Sequence, residues 1–159
     1  MKITLYAHGK MSESFYGDAC AAYAQRLRPL WPLTVIEAAE ARLPQNPSPK
    51  EIETALAAEA KTALAKIPRR AYVIALCIEG KQLDSVELSR VMENAASGGA
   101  GEIWFVIGSS HGLSPEMKER ADLRLSISKM TFPHQLARVI LCEQIYRAAS
   151  IAKGTAYHK

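Results

Sequence analysis

Two apolar runs determine the fold: AYVIALCI at residues 71–78 and IWFVI at residues 103–107. Each run is apolar at every position, which is typical of strands that are covered on both faces in the centre of a parallel sheet. Neither run is long enough to cross a bilayer as a helix. The sequence therefore predicts a sheet with helices packed on both sides.

Shorter strands and helix starts surround these two runs. Three further strands are predicted at residues 3–7, 33–37 and 123–127. Capping residues that begin helices stand between the strands, and they are Ser48, Asp84 and Ser114. Gly98 and Gly99 end the helix that begins near Ser85. The alternation of strand and helix predicts an α/β fold with a mostly parallel sheet flanked by helices.

Length and composition favour one domain that spans residues 1–159. The chain is 48% hydrophobic and 23% charged, which is ordinary for a globular protein. Its N-terminus lacks the apolar segment of a signal peptide. The three cysteines are widely spaced, which predicts free thiols in a reducing, cytoplasmic compartment. Their spacing also predicts no zinc site. With only four scattered histidines, we expect no metal.

Positive charge is concentrated in the last quarter of the chain. The formal net charge of the whole chain is +4, but residues 123–159 contain six basic side chains against a single Glu143. Such a block attracts phosphates and RNA. An ordinary solvated basic face explains the charge equally well, and charge alone leaves both interpretations open.

Three loops at predicted strand ends are candidate binding segments: residues 76–81, 107–112 and 126–134. Ligands of open parallel sheets bind outside the carboxyl ends of strands, and the glycines of these loops let the backbone approach a ligand closely. Taken singly, each loop is more typical of an ordinary turn. The known phosphate-binding, nucleophile-elbow and zinc-protease motifs are absent from the sequence.

The last predicted helix, at residues 134–153, is apolar in nearly every direction around its axis. A surface helix would show one apolar stripe. The pattern therefore predicts that a second subunit covers one face of this helix. Glu143 and Arg147 stand four residues apart, so local pairing along the helix is as good an interpretation as a functional role.

The C-terminal sequence carries a distinctive motif. It reads LSISKMTFPHQLAR at residues 125–138, EQIYRA at residues 143–148 and YHK at residues 157–159. Together with IG at residues 107–108 and GLS at residues 112–114, it resembles the bacterial ribosomal RNA large subunit methyltransferase H family. These enzymes are the pseudouridine-N3 methyltransferases of the SPOUT class, and the match extends over the whole chain.

The resemblance implies a deep trefoil knot in the C-terminal part of the fold and a homodimer. It also implies S-adenosylmethionine as the cofactor and a pseudouridine of 23S ribosomal RNA, within the assembled ribosome, as the substrate. Cofactor contacts carried over from the family fall at Leu76, Gly108, Ile127, Ser128, Lys129, Met130, Thr131 and Phe132. Ser109 departs from the family, which commonly has a second glycine there, so close backbone approach at that point is in question.

Methyl transfer to N3 requires loss of the N3 proton, so a base or stabilisation of the anion would help. The candidates are His158 as base or orienting group, Tyr157 as a partner for the flipped base, and Arg138 or Arg147 for a phosphate or anion. The alternative for Tyr157 and His158 is a frayed terminus.

Two other functions remain in view. The first is a non-catalytic RNA- or ribosome-binding α/β module. The second is a small-molecule hydrolase on a flavodoxin-like sheet, which the lack of any nucleophile motif disfavours.

Overall fold

The computed structural model of the protein describes residues 1–158. Strands and helices alternate in the order β1 (Lys2–His8), α1 (Ser14–Leu27), β2 (Leu33–Ala38), α2 (Pro49–Lys66), β3 (Tyr72–Gln82), α3 (Ser85–Ser97), β4 (Glu102–Ile107), α4 (Pro115–Arg120), β5 (Leu123–Ser126) and α5 (His134–Ala152). The predicted α/β alternation is confirmed.

The five strands form one sheet in the order β2-β1-β4-β3-β5, and all four neighbouring pairs are parallel. The two apolar runs of the sequence are the paired strands β3 and β4, with Val73 opposite Trp104 and Ala75 opposite Val106. β4 is the middle strand, which explains why five of its six residues are buried.

Alternate residues of the strands pack into two separate cores. Ile103 and Phe105 of β4 contact the core under α1, α3 and α5. Trp104 and Val106 of the same strand contact the core under α2 and α4. Since side chains of a strand point alternately to opposite faces, a continuous apolar run is what a strand between two helical layers requires.

The predicted helix starts are confirmed. Ser48 and Asp84 each form a capping box, in which the cap side chain bonds the N3 amide and the N3 glutamate bonds back to the cap amide. Ser114 caps α4, with its hydroxyl accepting from the amide of Met117. Gly98 follows the last residue of α3, as the sequence predicts.

β3 is longer than the predicted strand 71–78 because it resumes pairing after a bulge. Its register with β5 shifts between Leu76 and Lys81. Gly80 lies in this bulge, where an added Cβ would be 2.7–2.8 Å from backbone atoms of Arg124 and Leu125. The sequence does not predict this continuation, because the residues after position 78 are polar. This end of β3 pairs with the edge strand β5 and is partly exposed to solvent.

α5 packs on α1 and α3 within one chain. Its buried apolar residues are Leu141, Cys142, Ile145, Ala148 and Ala149. Part of the apolar surface that the sequence attributes to a second subunit is therefore covered by α1 and α3. Val139 and Ile140 are only half-buried, so coverage by a second subunit stays a prediction. Within residues 1–158, no helix has the length and apolar character needed to cross a membrane.

Candidate functional site

A cavity of about 630 Å³ lies at the carboxyl ends of β3, β4 and β5. Its remaining walls come from the segment 127–133 and the first turn of α5, where His134 and Ala137 face it. Open α/β sheets bind ligands in this position, and roughly 300–1,000 Å³ is the usual volume of a small-molecule site. The three candidate loops of the sequence meet here.

The turn at residues 108–112 forms one wall of the cavity. Gly112 has a φ of +86°, a conformation that side chains other than glycine rarely adopt, and its amide donates to the carbonyl of Ser109 over 2.9 Å. A Cβ on Gly108 would overlap the carbonyl group of Gly112. Gly108 is therefore needed for the turn to close on itself, whereas the sequence suggested that it leaves space for a ligand.

Ser109 lies in this turn, and its hydroxyl forms a hydrogen bond with a side chain of α2. Its Oγ donates to Oε2 of Glu59 over 2.8 Å, and Glu59 is buried. The second oxygen of Glu59 accepts from the amide of Ala41, also over 2.8 Å. Ser109, which replaces the glycine common in the family, is therefore held in place by α2.

Serine hydroxyls also shape the segment 127–133. Ser126 Oγ donates to the carbonyl of Ser128 over 2.9 Å, and Ser128 Oγ accepts from the amide of Met130 over 3.1 Å. Met130 is 69% exposed and lines the cavity. The segment is thus a series of local turns that places an apolar side chain at the rim.

An ion pair lies on the cavity wall. Lys118 of α4 bonds Glu79 of the β3 bulge, and this bond is the main cause that lowers the pKa of the Glu79 carboxyl. Beside them, burial raises the pKa of the Cys77 thiol, and the charge of Glu79 raises it further. Cys77 is therefore a neutral thiol at pH 7.

The predicted cofactor-binding residues lie together with one exception. Those that line the cavity are Leu76, Gly108, Ile127, Ser128, Met130, Thr131 and Phe132. Lys129 is exposed and is not among the lining residues. Sequence reasoning gave no role to Lys118, which also lines the cavity, because α4 shows only a capping serine and no binding motif.

Arg138 is buried and joins α5 to β2 and to the loop after β1. Its Nη1 donates to Oε1 of Glu37 over 2.5 Å, and its Nη2 donates to the carbonyl of Gly9 over 2.9 Å. It is 3% exposed, and it is not among the residues that line the cavity. An anion could reach this guanidinium only after Glu37 released it.

The C-terminal tail is docked on the second half of α5. Tyr157 Oη donates to Oε1 of Glu143 over 3.1 Å, and the ring of Tyr157 lies 4.6 Å from that of Tyr146. Arg147 bonds the same carboxylate, so Glu143 and Arg147 do pair along the helix, which is one of the two interpretations of their spacing. His158 is exposed, and Lys159 lies outside the described residues.

The tail and the cavity contact different parts of α5. The cavity meets the helix at Ala137, whereas Tyr157 contacts Glu143, Tyr146 and Arg147. With a rise of 1.5 Å per residue, these contacts lie about 9–15 Å from Ala137 along the helix axis. One chain, as folded here, therefore does not bring Tyr157 to its own cavity.

The cavity has an apolar floor and polar residues around it, so it suits an organic ligand that has both an apolar and a polar part. Apolar side chains from three strands form its floor, and they are Leu76, Ile107 and Leu125. Ser109, Ser126 and Ser128 also line the cavity, and they belong to the two turns around it. Within residues 1–158, no group of three or more His, Cys, Asp or Glu side chains is placed to hold a metal ion.

Comparison with known proteins agrees with this architecture. A family model described as "Predicted SPOUT methyltransferase" matches residues 1–158. A probable methylase family protein from Haemophilus influenzae Rd KW20 is similar in fold, with a TM-score of 0.51 and 15% sequence identity over 99% of this chain and 70% of that one.

A second solved structure is the SpoU methyltransferase AviRb from Streptomyces viridochromogenes, in complex with its cofactor AdoMet. It has a TM-score of 0.45 and 14% identity over 96% of this chain and 58% of that one. The family match covers nearly the whole sequence, and the parallel five-stranded sheet agrees with it. The chain belongs to the SPOUT methyltransferase family.

Proposed function

We propose that the protein transfers a methyl group from S-adenosylmethionine to N3 of a pseudouridine in 23S ribosomal RNA, on assembled ribosomes in the cytoplasm. One observation carries the proposal: the segment 127–133, which holds the most specific part of the sequence motif, forms a wall of the cavity at the ends of β3 and β4. Membership of a methyltransferase family supports the reaction class. The choice of pseudouridine rests on the motif at residues 125–138 and 157–159.

The cavity has the chemistry that S-adenosylmethionine requires. Leu76 and Leu125 offer an apolar surface for a purine ring, and the turns at residues 108–112 and 127–133 present backbone groups to its polar edge. The bound cofactor supplies a methyl group already activated on a sulfonium, so no nucleophilic side chain is needed. The protein has to align the acceptor nitrogen and assist the loss of its proton.

Charge on the last quarter of the chain supports an RNA substrate. Lys129 and Lys153 are exposed, and Lys129 adjoins the cavity-lining residues Ser128 and Met130. Exposed cations beside a site attract phosphate groups over a distance of about a Debye length, about 8 Å at physiological salt. We assign Lys129 to RNA attraction rather than to the cofactor, because its side chain is directed to solvent.

A homodimer would complete the active site. A side chain that contacts the acceptor base has to reach the cavity, but the docked Tyr157 contacts α5 at Glu143 and beyond, about 9 Å or more along the helix axis from Ala137. A second copy can bring its tail, with Tyr157 and His158, to the first copy's cavity. The half-buried side chain of Ile140 offers an apolar surface for that copy.

The trefoil knot of the family is also part of the proposal. After β5, at one edge of the sheet, the chain passes the carboxyl ends of β3 and β4 and enters α5. α5 then packs against α1 and α3 on one face of the sheet. For a knot, the chain after β5 has to pass through a loop formed by an earlier part of the chain, and this threading would hold the segment 127–133 in place.

A non-catalytic RNA- or ribosome-binding module is the second candidate, favoured by the position of the tail. Both tail candidates, Tyr157 and His158, lie away from the cavity in one chain. If no second copy supplies them, the cavity lacks the groups assigned to acceptor chemistry.

Mass spectrometry of 23S ribosomal RNA from cells with and without the gene tests the proposal. We expect a methylated pseudouridine that disappears with the gene and returns when the gene is restored. S-adenosylhomocysteine should also raise the thermal unfolding temperature of the purified protein. An unchanged modification pattern together with cofactor stabilisation would assign the methyltransferase another substrate, and absence of both would favour the binding module.

A further inference from the structure

Glu59 is a buried carboxylate on the inward face of α2, and the proposed reaction does not use it. It is 6% exposed, and the neighbouring buried positions of the helix are alanines: Ala55, Ala60 and Ala63. Burial of a carboxylate is costly unless hydrogen bonds compensate for the lost water. An alanine-lined helix could pack against the sheet without this group, so its presence points to a specific role.

The two oxygens of Glu59 join α2 to the connection before it and to the turn after β4, 18 and 50 positions away in the sequence. Oε1 accepts from the amide of Ala41, in the connection before α2, and Oε2 accepts from the hydroxyl of Ser109, in the turn after β4. Both bonds are 2.8 Å long. Each donor has a hydrogen to give, and an ionised carboxylate has only acceptors, so the groups are complementary.

The bond to Ser109 anchors the turn at residues 108–112. Gly108 and Gly112 have no side chains with which to fix the turn, and the contact between Ser110 and His111 lies within it. Within the described part of the chain, Ser109 Oγ to Glu59 is the side-chain hydrogen bond that joins these five residues to another element. The place of this cavity wall therefore depends on α2.

We propose that Glu59 is a positioning residue for the cofactor, acting through Ser109. It holds the turn at the distance at which its backbone contacts the ligand. Glu59 does not itself line the main cavity; it lies behind the turn, beside His8 and Leu113. This inference rests on the proposed function, because it takes S-adenosylmethionine to be the ligand of the cavity.

Calorimetric titration of the whole protein with S-adenosylhomocysteine tests the role. Glu59→Leu fills the same space and removes both acceptors, so we expect binding about tenfold weaker, the size of one or two lost hydrogen bonds. Ser109→Ala should weaken binding to a similar extent. Glu59→Gln keeps one acceptor for Ala41 and offers an N–H to the serine oxygen, so it should bind within about threefold of wild type.

Steady-state kinetics on ribosomes separates positioning from general damage. We expect Glu59→Leu to raise KM for S-adenosylmethionine by about tenfold and to leave kcat within about twofold, since the residue touches no reacting atom. The double variant Glu59→Leu, Ser109→Ala should bind no more weakly than the weaker single variant, because both remove the same bond. Ser89→Ala, which removes a buried serine bond to Ala148, is the matched control and should not change cofactor affinity.

Three results would overturn the inference. One is wild-type affinity in Glu59→Leu or, if that variant does not fold, in Ser109→Ala. The second is an additive loss in the double variant, which would mean that the two residues act independently. The third is failure of wild-type protein to bind S-adenosylhomocysteine, which would remove the proposed function as well; the first two results leave that function intact.

Discussion

The phenol of Tyr157 donates a hydrogen bond to the carboxylate of Glu143, with 3.1 Å between Oη and Oε1. The same oxygen accepts from Nε and Nη2 of Arg147, whose guanidinium carbon lies 4.7 Å from the centre of the tyrosine ring. Three side chains therefore hold the tail on α5. Release of the tail from its own helix requires the bond between Tyr157 and Glu143 to break, and that bond exists only while the phenol keeps its proton.

Docking of the tail should depend on pH in the alkaline range. Burial of the hydroxyl, followed by its bond to Glu143, raises the pKa of Tyr157 to about 12 from an ordinary value of 10.0. Because the folded pKa is raised, the stabilisation is complete below pH 10 and is lost as the pH rises from about 10 towards about 12. NMR of ring-labelled tyrosine should show Tyr157 titrating near pH 12. Titration below pH 10 would contradict the docked position.

Arg138→Met should lower the free energy of unfolding by about 2 kcal/mol, less than a fully buried pair because Glu37 is partly exposed. The substitution removes the bonds to Glu37 and to the carbonyl of Gly9. Chemical denaturation measures the loss. Arg120→Met, which breaks a more exposed pair with Asp122 and a bond to the carbonyl of Ala71, is the control and should cost less than Arg138→Met. A stable Arg138→Met protein with much reduced transfer would instead favour an anion-binding role.

Gly108→Val should abolish binding of S-adenosylhomocysteine and also lower the unfolding temperature. The first carbon of the new side chain would overlap the carbonyl group of Gly112, so the turn cannot keep its shape. Gly112→Ala meets no atom within 4 Å but requires a positive φ, so it should cost about 1–2 kcal/mol and weaken binding less. Calorimetry on both variants decides, and wild-type affinity in Gly108→Val would place the cofactor elsewhere.

Ile140→Glu should dissociate the proposed homodimer into monomers. Ile140 is half-buried within one chain, and a carboxylate buried without a partner in an interface costs several kcal/mol. Analytical ultracentrifugation reports the mass. Leu64→Glu changes a similarly half-buried aliphatic residue of α2 on the opposite face of the sheet, and it should leave the oligomeric state unchanged. If Ile140→Glu stays dimeric, the interface lies on another face.

The sheet and its helix starts could be predicted because local physics determines them. A strand such as β4, between two helical layers, has to be apolar at every position, and Ser48 or Asp84 marks a helix start through bonds within four residues. Strand ends of a parallel sheet meet at one edge, so the three loops of the cavity could also be grouped from the sequence.

Long-range partners could not be predicted in this way. Arg138 and Glu37 are 101 positions apart, and Ser109 and Glu59 are 50 positions apart. The sequence around these residues does not indicate that the members of either pair are in contact. From the sequence, Arg138 is a candidate for binding a phosphate or anion, and its pairing with Glu37 in the fold could not be predicted. Coverage of α5 had the same difficulty, because an apolar surface does not reveal whether α1 or a second chain packs on it.

Deletion of residues 157–159 should reduce methyl transfer by well over tenfold and leave cofactor affinity nearly unchanged. Stacking of a base on an aromatic ring contributes roughly 1–3 kcal/mol, and a positioned acid–base group contributes about 10²–10⁴-fold. Loss of Tyr157 and His158 together removes both effects, while the cavity keeps its lining residues. Single-turnover assays on ribosomes that lack the modification, with calorimetry in parallel, measure the rate of methyl transfer and the cofactor affinity.

Deletion of residues 158–159 alone is the matched control, because it leaves the bond between Tyr157 and Glu143 in place. The rate of methyl transfer should then fall only by the factor that His158 contributes. If the longer deletion keeps near wild-type turnover at saturating ribosome concentration, the tail is only a docked surface segment. The acceptor chemistry would then belong to His111 or His134, the histidines that line the cavity.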